Sequence, residues 1–202
     1  MTGRPPEDAP ESRSEDAPES PSEAAPDPRV ELVEGTTRID DLDEFLDAIG
    51  SIGEETGAVV QAFDADLVVS ADQLRCATRL AARSIARGEA VARDPAVEIL
   101  LYAAGRRQIE RALDLGVSEG DARIVAVVAD FGAVPGSDRP PADVDDAVAS
   151  VEALLEPTDT LGGFDEAAVR SFYDVTDREL AATDGDLSDV VRERVALLDV
   201  EK

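Results

Sequence analysis

Residues 58–88 read AVVQAFDADLVVSADQLRCATRLAARSIARG, a β-branched run followed by a helix with both ends marked. Ala58 to Phe63 is short, apolar and rich in valine, which predicts a strand, and Leu67 to Val69 reads as a further extended piece. Ser70 followed three residues later by Gln73 fits a capping box, in which hydroxyl and amide each satisfy a free backbone donor. Gly88 supplies the stop, and Leu74, Ala77, Ala81 and Ile85 fall on one face turned to a core.

Upstream, Val30, Leu32 and Ile39 suggest another strand. Asp40 or Asp41 then caps a short helix carrying Leu42, Phe45, Leu46 and Ile49, with a loop through Gly50, Gly53 and Gly57 after it. Downstream, Asp94-Pro95 opens a helix whose apolar pattern continues to Gly116, with Gly105 interrupting it. Ile124 to Ala129, bounded by Gly120 and Gly132, is a continuously apolar run and hence a buried strand. After a loop at 135–141, helical periodicity marks Val144–Leu155, Asp165–Tyr173 and Asp189–Leu198, and Thr176 with Glu179 repeats the capping pattern. There is no internal repeat and no regular βαβ alternation. These features predict one compact α+β domain over residues 30–202, with a small mixed or antiparallel sheet flanked by helices. Residues 1–29, rich in proline and acids and poor in large apolar side chains, are expected to be a disordered tail.

The net charge is -27, from 46 acidic and 19 basic residues, and every basic residue but Lys202 is arginine. Acids spread along the whole chain, with lysine almost absent, point to a salt-rich cytoplasm rather than to a protein that repels nucleic acid. At 1 M salt, screening confines surface electrostatics to about 3 Å, so local patterning outweighs net charge. The single cysteine, Cys76, forms no internal disulfide, and no apolar run approaches the roughly 20 residues that span a bilayer. The absence of histidine removes Ser/His/Asp and Cys/His catalysis and most zinc sites. A cytoplasmic protein with no membrane partner, no cofactor, no metal and no small-molecule substrate is the expectation.

Against this acidity, the stretch from Gln73 to Arg111 holds eight arginines and four acids. Arg75, Arg79, Arg83 and Arg87 recur every fourth residue, as a solvated stripe or as an anion-facing surface. Gly105-Arg106-Arg107-Gln108-Ile109 is more specific. Glycine inside a helix costs about 1 kcal/mol relative to alanine, so it calls for a packing or ligand reason. If the helix continues through it, Tyr102, Arg106 and Ile109 share a face, and guanidinium planes there suit phosphate forks and exposed bases.

Val97 to Ile109, VEILLYAAGRRQI, with Ala112-Leu113 and the Gly116 turn, resembles the signature of the small kinase-binding subunit of the KEOPS complex. The resemblance extends over roughly Val30 to Leu198. It implies a noncatalytic protein whose partners are the kinase-like ATPase subunit of that complex and tRNA. The tRNA is held by its single-stranded acceptor (CCA) end while threonylcarbamoyladenosine is made beside the anticodon. By the same resemblance Arg106, Arg107 and Ile109 become RNA contacts, with Arg83 and Arg87 added from the stripe. A protein-only regulator of the kinase is the alternative. An enzyme built on carboxylates finds no acid cluster at metal-ligand or phosphate-loop spacing, and Asp64 and Asp66, the nearest pair, read equally as a turn or cap.

Overall fold

The computed structural model describes residues 27–199, so the expected tail lies, but for residues 27–29, outside the described residues. Its centre is β3 (Gly120–Ala129), whose last six side chains are all buried because helices cover both faces of the sheet. Such double coverage is what a continuously apolar strand demands. β1 (Val30–Ile39) and β2 (Val59–Asp64) flank β3, both antiparallel, with Val33 opposite Ala126 and Phe63 opposite Val125. A two-residue strand, β4 (Glu156–Pro157), pairs with Gly35 and Thr36 at the outer edge, giving the order β2-β3-β1-β4.

Strand alternation sorts the core into two layers. Val59, Phe63, Val125, Val127 and Ala129 point to the face covered by α2 (Ala71–Ala86), α3 (Pro95–Ala103) and, beyond them, α8 (Leu187–Leu197). Val60, Ala62, Ile124, Ala126 and Val128 point to the face covered by α1 (Leu42–Thr56) and α5 (Val144–Glu152). α6 (Glu166–Phe172) and α7 (Asp177–Ala182) close a smaller cluster with α8 around Val169, Tyr173, Val190 and Val191. The described residues are thus an α+β unit with a four-stranded antiparallel sheet.

Several boundaries depart from the sequence reading. α1 does not stop near Ile49 but runs through Gly50 and Gly53 to Thr56, because burial of Ile49 and Ile52 against α5 and β2 outweighs the low propensity of two glycines. Leu67–Val69 is not a strand: Asp64 accepts from the Asp66 amide and turns the chain into a 3₁₀ turn at Ala65–Leu67. The helix expected from Pro95 to Gly116 is two helices, α3 and the single turn α4 (Ile109–Ala112). Ser70 caps α2 by accepting from the Gln73 amide, but the reciprocal half of the box is missing, since the Gln73 side chain is used elsewhere. β4 escaped notice because two residues carry no periodicity.

Gly132 shows how tightly the loop after β3 is drawn in: a Cβ there would lie 2.5 Å from the Pro141 Cα and 2.6 Å from its nitrogen. Gly132→Ala is expected to destabilise by about 2 kcal/mol, the scale of overpacking against backbone that cannot yield. Gly50→Ala, at a helical position with open space around it, is expected to stabilise by about 0.5–1 kcal/mol. Urea unfolding of the two variants beside the wild type, at fixed salt, checks both signs.

Candidate functional site

α3 ends abruptly. Gly105 takes φ +59°, its amide donates to the Tyr102 carbonyl at 2.9 Å, and the Arg106 amide reaches back to Leu101 at 3.1 Å. The left-handed conformation favours glycine, and a Cβ would in addition come within 3.3 Å of Arg194 on α8. Gly105 is therefore a helix stop, not a helix interior, and Tyr102, Arg106 and Ile109 do not share a helix face.

The free carbonyl of Ala103 at this end is met by a buried polar cluster. Gln73, fully buried, donates to Ala103 O at 3.0 Å and to the Tyr173 hydroxyl at 2.6 Å, and accepts from the Val69 amide at 2.9 Å. Tyr173 in turn donates to Ala103 O at 2.9 Å. Burial pushes the Tyr173 phenol well above its ordinary range, an effect that its bond to Gln73 and the nearby Arg106 charge only partly offset. One side chain from α2 and one from the end of α6 thus fix where α3 stops.

Residues 106 and 107 leave that stop in opposite directions. The Arg106 side chain is 12% exposed, donates to the Phe172 carbonyl and, at 3.2 Å, to Asp174, and lies over the Phe172 ring 5.1 Å from its centroid. Asp174, itself at φ 53°, also pairs with Arg111 at 3.8 Å. Arg106, Arg111, Phe172, Leu67 and Ala168 line a cleft of about 380 Å³. Arg107 donates to the Leu198 carbonyl at the end of α8 at 2.9 Å. On α4, Ile109 is 41% exposed, and Leu113 just beyond it 55%. Arg83 and Arg87 face the same end of α8 and share Asp199 at 3.5 and 3.7 Å. The structure therefore brings Arg83, Arg87 and Arg107 together around Leu198 and Asp199, and places Ile109 and Arg111 on the open side of the turn. It assigns Arg106 to internal packing. Arg75 pairs loosely with Asp72, farther along the stripe, while Arg79 is exposed.

Four participants carried no sequence signal that reading by motif catches: Phe172, Tyr173, Asp174 and Asp199. A fifth did. Glu98 is the one carboxylate in the apolar run 95–104, and it is buried, accepting from the Val91 and Ala92 amides at 3.0 and 2.9 Å, so that it anchors the α2–α3 loop to α3.

The family model for kinase binding protein CGI-121 matches residues 40–199. The chain belongs to the CGI-121 family. The match contains α1 to α8 and every residue of the cluster just described, and membership makes a kinase its partner. No curated protein matches the chain. Within this CGI-121 chain, the described residues include no group of three or more Cys, Asp or Glu able to hold a metal, and no helix long and apolar enough to cross a membrane.

The contacts of Arg106 predict that Arg106→Ala costs about 2 kcal/mol of stability, while Arg111→Ala, at an exposed loose pair, stays within about 0.5 kcal/mol. Thermal unfolding of both variants reads the contrast. The raised folded pKa of Tyr173 gives stability that is present below the unfolded value of about 10 and lost as pH rises past it. Tyr173→Phe should therefore lower stability at neutral pH and flatten its decline on the alkaline side, measured as ΔG against pH.

Proposed function

We propose that the chain is the noncatalytic, kinase-binding subunit of a KEOPS-type complex in a salt-rich cytoplasm. In this reading the surface around Arg107 and Ile109 receives the single-stranded acceptor end of tRNA during threonylcarbamoyladenosine formation. Family membership supports the kinase half. The observation that carries the RNA half is the composition of one short segment: after the Gly105 stop, Arg107 and Arg111 stand beside the exposed aliphatic side chains of Ile109 and Leu113. Single-stranded RNA ends are held by such combinations, guanidinium planes and forks for phosphate and base, apolar contacts for the unstacked faces. In concentrated salt the phosphate contribution shrinks, so the apolar and stacking contacts carry a larger share.

Charge reversal at Arg106 would damage the fold, so the test belongs at the exposed positions. Ile109→Glu is expected to weaken tRNA binding by at least about tenfold, roughly 1.4 kcal/mol, with the thermal midpoint unmoved. Removing the terminal CCA from the tRNA should produce a similar loss with wild-type protein. Gel-shift titrations in molar KCl measure both. Equal binding of intact and CCA-less tRNA by wild type and variant would leave a protein-only regulator of the kinase. Copurification of the tagged chain from its host, with identification of bound protein and bound RNA, tests the two halves together.

A further inference from the structure

Where α2, α3 and the end of α8 meet, a carboxylate occupies a site it does not fill. Both Arg83 and Arg87 approach one oxygen of Asp199, Oδ2, at 3.5 and 3.7 Å, and the Tyr102 hydroxyl donates to the other, Oδ1, at 3.3 Å. The Asp199 side chain is 11% exposed, whereas Arg83 and Arg87 remain about a third and a half exposed. Charge-assisted contacts between guanidinium and carboxylate close to about 2.7–2.9 Å when the geometry allows, often with two parallel bonds. Here two planar forks and a phenol converge on one small anion and none reaches that distance. The neighbouring residue makes the arrangement stricter: Leu198 O accepts from Arg107 at 2.9 Å, so one turn after α8 engages Arg83, Arg87, Tyr102 and Arg107 at once.

We infer that Arg83, Arg87 and the Tyr102 hydroxyl form a subsite for a phosphate oxyanion, and that Asp199 is its resident occupant, which an incoming RNA phosphodiester displaces. A phosphate offers more acceptor oxygens than a carboxylate and is larger, so it spans both forks without moving either helix. The exchange also regulates the site. While Asp199 is seated, two of the arginines on α2 are neutralised by the chain itself, and weak anions are rejected. A ligand that gains further contacts near Arg107 and Ile109 can meet the cost of displacing Asp199. The identity of the incoming phosphate as RNA rests on the function proposed above; the existence of the subsite does not.

The test uses the full chain with two neutral replacements, Asp199→Asn and Asp199→Ser, each confirmed as folded by its thermal midpoint. Two probes are titrated over a range of KCl concentrations: inorganic pyrophosphate by calorimetry, and a labelled single-stranded RNA ending in CCA by fluorescence anisotropy. Both replacements are expected to bind both probes about tenfold more tightly than wild type at the lower salt concentrations, the gain narrowing as salt rises. For RNA, the slope of log K against log salt should steepen by about one unit, as one or two more phosphate contacts form. Adding Arg83→Gln and Arg87→Gln to either replacement should abolish the gain. If wild type binds RNA but neither replacement tightens RNA or pyrophosphate binding, or if the gain survives loss of both arginines, the subsite is refuted and the RNA reading stands. If the replacements tighten pyrophosphate binding while no form of the protein binds RNA, the subsite stands and the RNA reading falls. Binding of neither probe by any form overturns both.

Discussion

The bond between the Gln73 amide and the Ala103 carbonyl fixes the relation on which the functional end of the molecule depends. A buried carbonyl at a helix end costs about 1–3 kcal/mol if left without a donor, and Ala103 receives two, from Gln73 and from Tyr173. Those donors come from α2 and α6, so α3 can end at Gly105 only if both helices are in place. Everything downstream follows from that stop. Arg106 turns inward onto Phe172, Arg107 turns across to Leu198, and α4 begins with Ile109 exposed. The neutral hydroxyl of Tyr173 suits the position, because an ionised phenol could not donate to Ala103.

The strands and the helices α1, α2, α3 and α8 were legible in the sequence because their signals are local. Val-rich runs, Ser70 and Asp94 as caps, and Gly88 as a stop act within a turn of chain. Where the reading failed, the deciding partner was distant in sequence. Gln73 looked like half of a capping box, and only the arrival of Tyr173 and Ala103 shows why its side chain points away from its own helix. Gly105 looked like an interruption, since the apolar pattern resumes at Ile109, and periodicity cannot register that the chain has turned in between. Glycines 50 and 53 misled in the other direction, their propensity being overridden by the burial of Ile49 and Ile52.

The arginine-rich stretch was legible as a stretch and illegible as a site. Counting charges marks Arg83, Arg87, Arg106 and Arg107 alike, but their environments separate them. Arg106 serves the fold, Arg107 and the α2 pair meet the end of α8, and Arg111 stays on the surface. The separation arises from Asp174 and Asp199, two acids that a chain with 46 of them gives no reason to single out. In a protein this acidic, a functional carboxylate is distinguished by which cation it sits against.

The sheet has a kinetic corollary. β1 pairs along its whole length with β3, Val30 with Ala129 and Ile39 with Gly120, while α1, β2, α2 and α3 all lie between them in the chain. Closing so long a loop is entropically expensive before any pairing repays it, so contacts of high sequence separation slow folding. β1 must therefore wait for its partner through synthesis of most of the arginine-rich helices. An unpaired β-branched strand held in that state is a site for association with other chains, and Glu31, Glu34 and Arg38 within it supply the charges that oppose such pairing.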